Sequence, residues 1–410
     1  MTIDFDETTR TLRQSPRDAA FVQDPYATYA AVRARAPAFF WADYGHWCFA
    51  GHDDVSALLR DRRFGREVLH VATREELGWP EPPERLRPFH DVEAHSLLER
   101  EPPAHTRLRG LVNRAFVTRQ VERLRPRIER LADELIDRFP AGEVDLLTAY
   151  ATPIPITIIC ELIGVPDEEA PQLLDWSHRM VAMYQFARDP AAEDAAVEAT
   201  LAFSARVRRL VEERRRRPGD DLLSRLVAAE EAGETLSSDE LVTTVILLLN
   251  AGHEATVHAI GNAVAAMLSP AFDRNDLPDT STGWSALAEE LLRHDPPLHM
   301  FTRYALEDLD HRGITLRKGD KVGLLLGAAN RDPAKFPDPD RILPGRAAGH
   351  LAFGAGIHFC VGAALARLEL EIALSALFRR LPKLALASRP RYRDAYHFHG
   401  LEQFVVRPSG

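Results

Sequence analysis

The chain has 410 residues, of which 45% are hydrophobic, so it is long enough to bury a large core and is neither disordered nor fibrous. Its formal net charge of −10 argues against nucleic-acid binding, which usually needs a basic surface. Three cysteines are too few for a disulfide framework and indicate a reducing cytoplasm. Because the polar N-terminus lacks a signal-peptide pattern and no stretch of about 20 apolar residues occurs, we also expect no membrane contact.

The pattern of apolar residues predicts a mainly α fold with a small β region. In chain order we expect a helix over Pro25–Ala34, a hairpin of Ala38–Trp41 and His46–Phe49, a helix over 53–61, an irregular loop over 74–100, helices from His105 to Arg217, a long helix over Ser238–Leu268, a helix over Trp284–His294, a second hairpin that turns at Lys318–Asp320, and a last helix after Cys360.

The segment Phe353–Gly362 reads FGAGIHFCVG and carries the strongest local signal. Glycines before and after Cys360 allow a backbone loop to wrap around its sulfur, and the start of the next helix favours the thiolate. Such a thiolate suits a haem iron, while a cysteine nucleophile with His358 as its base is the alternative. For Cys48 and Cys160, which lie in apolar runs, we expect only a structural role.

This loop matches the haem-binding loop of the cytochrome P450 family in full, and the chain resembles that family from about Asp24 to Val406. The resemblance implies one haem domain over 21–410 after an N-terminal extension of residues 1–20. It implies haem b as the cofactor and Cys360 as the metal ligand, with Phe353, Gly354 and Gly362 around it. His105, Arg109, Arg303 and His358 would hold the haem propionates.

The long helix contains AGHEAT, residues Ala251–Thr256. Glycine inside a helix costs about 1 kcal/mol, so something bulky lies close by, or the helix kinks or crosses a neighbour there. The resemblance puts Ala251 and Gly252 over the iron and Glu254 in proton delivery. Ala255 stands where the family usually has threonine, and Thr256 points about 100° away. We therefore expect a proton relay through Glu254 and water, with help from Thr256 or a substrate hydroxyl.

Glu290 and Arg293 lie three residues apart and share a helix face, which alone would suggest an ordinary surface ion pair. The resemblance implies a buried structural pair instead. By position we expect the substrate, a small and mostly hydrophobic molecule, to contact the following residues: Leu247, Asn250, Ala251, Ala255, His299, Phe301, Phe398 and His399. His299 and His399 could equally be ordinary core or surface histidines.

The implied reaction is a monooxygenation with O2, in which a ferredoxin and its reductase supply the electrons. Arg107, Arg114 and Arg367 are candidates for docking the ferredoxin. One alternative is a non-oxygenase haem-thiolate enzyme, such as a peroxide-driven oxidase or an isomerase, which Ala255 leaves open. Another is a haem-binding sensor without turnover. A cysteine hydrolase is a more distant alternative.

Overall fold

A computed structural model describes residues 3–231, 236–346, 349–396 and 398–408. Helices dominate it, as the sequence predicted. The α-helices are α1 Ala19–Gln23, α2 Tyr26–Arg35, α3 His52–Leu58, α4 Arg87–Glu93, α5 Ala104–Asn113, α6 Thr118–Glu122, α7 Arg125–Asp137, α8 Pro153–Ile163, α9 Ala170–Val181, α10 Pro190–Arg216, α11 Leu222–Glu231, α12 Ser238–Met267, α13 Ser281–His294, α14 Leu326–Ala329 and α15 Ala363–Arg380.

The strands are short and form the small β region. They are β1 Asp4–Asp6, β2 Thr11–Arg13, β3 Ala38–Trp41, β4 His46–Phe49, β5 Phe64–Gly65, β6 Val144–Asp145, β7 Met300–Ala305, β8 Leu309–His311, β9 Ile314–Leu316, β10 Lys321–Leu325, β11 Ala385–Leu386, β12 Arg391–Tyr392, β13 Leu401–Gln403 and β14 Val405–Arg407.

The helix α12 is the central element of the helical core. It begins in a capping box, in which the Ser237 hydroxyl accepts the Glu240 backbone N–H and the Glu240 carboxylate accepts that of Ser237. Most of its side chains are buried, and it packs against α8, α9, α10, α13 and α15. A helix that is apolar nearly all round belongs inside a fold, and α12 is the element on which the others are arranged. Among helices of the described part of the chain, none combines the length and apolarity needed to cross a bilayer.

The largest sheet has the strand order β1-β2-β3-β4-β10-β7-β5. The predicted hairpin is confirmed, with β3 antiparallel to β4 and Ala38 opposite Phe49. β10 lies between β4, to which it is parallel, and β7, to which it is antiparallel. β1 and β2 join the sheet because β2 runs parallel to β3, so the segment that we set apart as residues 1–20 contributes strands to this sheet.

Two sequence predictions about loops need correction. The turn at Lys318–Asp320 exists, but it joins β9 to β10, which are not paired; the hairpin is β8–β9, and it turns at Arg312 and Gly313. Both of these residues have positive φ, as a type I′ turn requires, and Arg-Gly was not recognised as such a turn. The loop over 74–100 also contains α4, whose Phe89 is buried in the main core.

A buried ion pair joins α13 to the segment that leads towards the cysteine loop. Arg293 Nε and Nη2 donate to the two carboxylate oxygens of Glu290 over 2.8 and 2.9 Å. The same guanidinium donates to the carbonyls of Asn330, Pro339 and Arg341 over 2.9 to 3.0 Å. Both side chains are 2% exposed, so the surface-pair alternative is excluded by their burial. Irregular backbone has no regular pattern of hydrogen bonds between its own groups. The Arg293 guanidinium therefore supplies donors to its carbonyls and fixes the path of this segment.

We predict that Arg293→Gln lowers the free energy of unfolding of the haem-loaded protein by about 3–5 kcal/mol. Glu290 would lose two hydrogen bonds and one of its two counter-charges, keeping only Arg346, whose Nε lies 2.8 Å from Glu290 Oε1, and three backbone carbonyls would lose their donor. Chemical denaturation measures this loss. The matched control is Arg407→Gln, which breaks a pair with Glu143 whose side chains are about half exposed and should cost less than about 1 kcal/mol. Equal effects of the two substitutions would contradict a structural role for the buried pair.

Candidate active site

The cysteine loop closes on itself just before α15. The Cys360 N–H donates to the Phe353 carbonyl over 3.0 Å, and Gly356 has φ of +73°. A Cβ on Gly356 would lie 2.3 Å from the Leu59 carbonyl oxygen, so only glycine fits there. Gly354 lies against the ring of Phe301, which places this predicted substrate contact beside the loop. The geometry thus presents one sulfur on a tightly packed turn.

The sulfur of Cys360 has a polar and positive environment on one side. Burial raises the pKa of the thiol, whereas the Gly362 N–H and the charges of Arg109 and Arg367 act in the opposite direction. A coordinated metal ion would add to these groups and deprotonate the thiol. Cys48 and Cys160 differ, because both are fully buried in the apolar core, and burial raises the pKa of Cys160 to about 12.

The four residues predicted to hold propionates lie next to each other and to this loop. His105 and Arg109 come from α5, where the rings of His105 and His358 are 4.6 Å apart and Arg109 Nη1 donates to the Ile357 carbonyl over 3.2 Å. Arg303 comes from β7, and its charge acts on His358. The fold therefore assembles one cluster of donors from α5, β7 and the cysteine loop.

This cluster has more donors than acceptors among the described residues. Both ring nitrogens of His105 are buried without a hydrogen-bond partner there. Arg303 is 3% exposed and donates to the Thr302 carbonyl. Its burial, together with the positive charge of nearby Arg66, lowers the pKa of Arg303 to about 10. Burial likewise lowers the pKa of Arg109. Buried cations and orphaned donors need acidic partners, and the two carboxylates of a haem fit that need.

Glu101 is a member of this cluster to which the sequence analysis gave no role. One of its carboxylate oxygens lies 3.0 Å from His358 Nε2 and accepts the Arg66 backbone N–H over 2.6 Å. Although burial opposes its ionisation, these hydrogen bonds lower the pKa of Glu101. Its position directly before Pro102-Pro103 and the His105 helix was the signal that could have identified it.

One stripe of α12 is open although most of the helix is buried. Leu247, Asn250, Ala251 and Ala255 are only partly covered or exposed, and their spacing places them on one face. Gly252 lies close to α8, because a Cβ there would lie 2.7 Å from the Ile159 side chain. This close contact supports the helix-crossing interpretation of the glycine.

Next to this stripe, Glu254 is buried among positive and hydrogen-bonding groups. Its Oε1 accepts from Arg393 Nη2 over 2.6 Å and lies 3.2 Å from His258 Nε2, while its Oε2 lies 3.1 Å from His178 Nε2. Burial opposes ionisation, but the hydrogen bonds from His178 and His258 and the charge of Arg393 hold the pKa of Glu254 well below its usual range. His178 and Arg393 come from distant parts of the chain, and nothing in their local sequence pointed to this contact.

The predicted pocket residues separate into two groups. Phe398 pairs with Leu298 and has its ring 6.0 Å from that of His258 on α12. His299 and His399 are instead 0% and 5% exposed and lie against Asp295, whose carboxylate accepts hydrogen bonds from Tyr26 and Tyr392. This enclosed network gives both histidines a role in the core, which differs from the predicted substrate contact. Thr256 is also buried, one residue away from the open stripe.

Comparisons with known proteins agree with this site. The family model described as cytochrome P450 matches residues 284–389, which include the Glu290–Arg293 pair and Cys360. The cytochrome P450 monooxygenase PikC of Streptomyces venezuelae is 40% identical over 382 residues, covering 90% of this chain and 87% of its own. The 6-deoxyerythronolide B hydroxylase of Saccharopolyspora erythraea is 36% identical over 404 residues, and the match covers 95% of this chain and 98% of the hydroxylase.

A solved structure supports the same assignment. P450BioI, in complex with an acyl carrier protein that carries hexadec-9Z-enoic acid, superposes with a TM-score of 0.88 at 33% identity, over 95% of this chain and 100% of that one. Similarity of this extent in both sequence and fold, together with the cysteine loop and the donor cluster beside it, shows that the chain belongs to the cytochrome P450 family of haem monooxygenases.

Proposed function

We propose that this enzyme binds haem b and inserts one oxygen atom from O2 into a small, mostly hydrophobic organic molecule in the cytoplasm, with electrons from a ferredoxin and its reductase. The observation that carries the proposal is the adjacency of Cys360 to the donor cluster of His105, Arg109, Arg303 and His358. Cys360 would face the iron at the centre of the haem, and the donor cluster would face the two propionates at its edge. When bound through a thiolate, haem supplies the activation of O2.

The residues around the haem would each have a limited task. Cys360 ligates the iron, and Phe353, Gly354 and Gly362 shape the loop that holds its sulfur. His105, Arg109 and Arg303 donate to the propionates, and Glu101 keeps His358 oriented towards them. Pre-organised donors of this kind fix the orientation of the cofactor without later rearrangement.

The open stripe of α12 would form the wall of the substrate pocket. Leu247, Ala251 and Ala255 are apolar, and Asn250 adds one polar group, which suits an apolar ligand with a hydrogen-bonding function. Phe301 and Phe398 add aromatic surface from the β region. The named relatives act on or bind 6-deoxyerythronolide B and a hexadecenoyl chain, which are both largely hydrocarbon.

Glu254 would be the group that directs the passage of protons. It remains ionised because Arg393, His178 and His258 surround it, so it would act as a fixed hydrogen-bond acceptor that orients the water molecules through which a proton passes towards the open stripe. His178 is 54% exposed and connects this carboxylate to solvent. Because Ala255 has no hydroxyl, a water or a substrate hydroxyl would complete the path.

The ferredoxin would bind on the side of the cysteine loop. Arg107 and Arg367 are already engaged by Glu240 and Glu289, so we assign the larger share of docking to the exposed Arg114 at the end of α5. Exposed basic groups of this kind raise the association rate with an acidic partner.

The function is tested by the source of electrons and oxygen. With hexadec-9Z-enoic acid and 6-deoxyerythronolide B as probes, we expect product with label from ¹⁸O2 when NAD(P)H, a ferredoxin and its reductase are present. Arg114→Glu should slow haem reduction and leave the probes' binding unchanged. If O2 and the ferredoxin system give no product while peroxide does, the enzyme is a peroxide-driven oxidase; if a probe rearranges without O2, it is an isomerase.

The proton relay gives a separate prediction. Glu254→Gln should lower product formation by roughly 100-fold while electrons are still consumed, since general acid–base groups contribute about 10²- to 10⁴-fold. Asp239→Asn, which changes an exposed carboxylate on the same helix, is the matched control and should have no effect. Ala255→Thr should alter the yield of product per electron pair. Normal yields in both Glu254→Gln and Ala255→Thr would refute the relay.

A further inference from the structure

The carboxylate of Glu254 has two oxygens with different surroundings. Oε1 is bound by Arg393 and His258, as described above, whereas Oε2 faces His178 and His253. The distances from Oε2 to His178 Nε2 and to His253 Nε2 are 3.1 and 3.6 Å. One carboxylate oxygen and two imidazole nitrogens therefore meet at one point between α9 and α12.

The hydrogen bond on the other side of His253 fixes which nitrogen carries the hydrogen. His253 Nδ1 lies 2.7 Å from the Leu249 carbonyl oxygen, which can only accept, so Nδ1 is the donor. With the hydrogen on Nδ1, Nε2 of the imidazole presents a lone pair. The residue is 1% exposed, and Nε2 has no hydrogen-bond partner among the described residues. A buried lone pair thus points towards a carboxylate oxygen, which is an arrangement that a cation stabilises.

We infer that His178, His253 and Glu254 form a binding site for a divalent cation of the zinc class. Zinc bonds of about 2.0–2.2 Å in tetrahedral geometry place ligand atoms roughly 3.4 Å apart, close to the two distances from Oε2. All of the candidate ligand atoms lie within 4.8 Å of one another. The Leu249 carbonyl holds the His253 ring in the orientation that a ligand needs, as outer-shell partners of metal-binding histidines do.

His178 provides the access of an ion to this site. Its side chain is 54% exposed, so a hydrated ion can reach it and then exchange water for the two buried ligands. Three protein ligands leave one position for water, which is the pattern of an open zinc site. Two nitrogens and one oxygen select Zn²⁺ over Mg²⁺ or Ca²⁺, which prefer sets of oxygens.

A second group of similar composition, Asp295 with His299 and His399, is less suited to an ion. Both of its carboxylate oxygens accept tyrosine hydroxyls over 2.6 Å, and all three residues are buried. A metal would have to displace those hydrogen bonds and has no exposed ligand through which to enter. Because the group offers the same ligand types, it provides the rival location in the test.

Occupation of the proposed site has a consequence that rests on the proposed role of Glu254. A bound Zn²⁺ would take the oxygen that faces solvent through His178 and would remove the carboxylate from proton transfer. The ion would therefore act as a reversible inhibitor of product formation, with no effect on haem content. Binding and inhibition are separate measurements, so failure of one does not imply failure of the other.

The test is calorimetric titration of the haem-loaded enzyme with ZnCl2. We expect one ion per chain and no binding of MgCl2. His178→Ala, at a half-exposed position that the core does not need, should weaken binding by about 10- to 100-fold or more, and His253→Gln should do the same. His70→Ala, an exposed histidine elsewhere, is the matched control and should leave the affinity unchanged.

The outcomes are distinct. Zinc binding that persists in His178→Ala and His253→Gln but is lost in His399→Gln would overturn the assignment in favour of the Asp295 group, and absence of binding would overturn it altogether. If Zn²⁺ binds with the expected dependence on His178 and His253 and lowers product per electron pair in the wild type alone, both the site and the relay are supported. If it binds in this way without inhibition, the site stands and the role of Glu254 in proton transfer is contradicted.

Discussion

The structure depends on the contact between the Arg293 guanidinium and the irregular backbone that follows β10. The described residues between α14 and α15, 330–346 and 349–362, contain one short 3-10 turn at Gly356–His358 and otherwise irregular backbone, and the position of the cysteine loop depends on that stretch. Arg293 satisfies three of its carbonyls and pairs with Glu290, which in turn accepts the Leu343 N–H over 2.9 Å. A buried guanidinium that donates five hydrogen bonds can fix such a segment, and an ammonium cannot do so.

Once the cysteine loop is held in place, the positively charged and hydrogen-bond-donating side chains beside it favour an anionic ligand. Arg303 and His105 are buried, Arg109 is half-buried, and these residues have few acceptors, an arrangement that costs free energy in the protein alone. That cost is recovered when anionic groups lie among them, so cofactor binding and stability are coupled. The open stripe of α12 includes the small residues Ala251 and Ala255, and in the proposed function haem and substrate would lie against it.

The sequence correctly predicted those secondary-structure elements that depend on residues close to one another along the chain. The apolar run of α12, the aromatic residues of β3 and β4, and the glycines beside Cys360 each have a local physical cause, and the helix and the hairpin were assigned correctly. The resemblance to a family then indicated which distant motifs belong to one site, and His105, Arg109, Arg303 and His358 lie together in the structure.

Features that depend on contacts between distant residues were missed. The network around Glu254 joins α9 and α12 to Arg393, which lies 139 residues further along the chain, so no spacing in the sequence reveals it. Gly252 is in close contact with the Ile159 side chain on another helix, and the network that encloses His299 and His399 includes tyrosines near both ends of the chain. Position after a motif was therefore a poor guide to which side chains face the pocket.

The central claim is that Cys360 binds a haem iron as a thiolate. The most direct measurement is the absorption spectrum of the reduced protein with carbon monoxide, recorded for the wild type, for Cys360→Ser and for Cys160→Ser as a matched buried control. We predict a strongly red-shifted Soret band in the wild type and in Cys160→Ser, and its loss in Cys360→Ser. If the shift survives in Cys360→Ser, or if the wild type binds no haem, the assignment of this site is wrong.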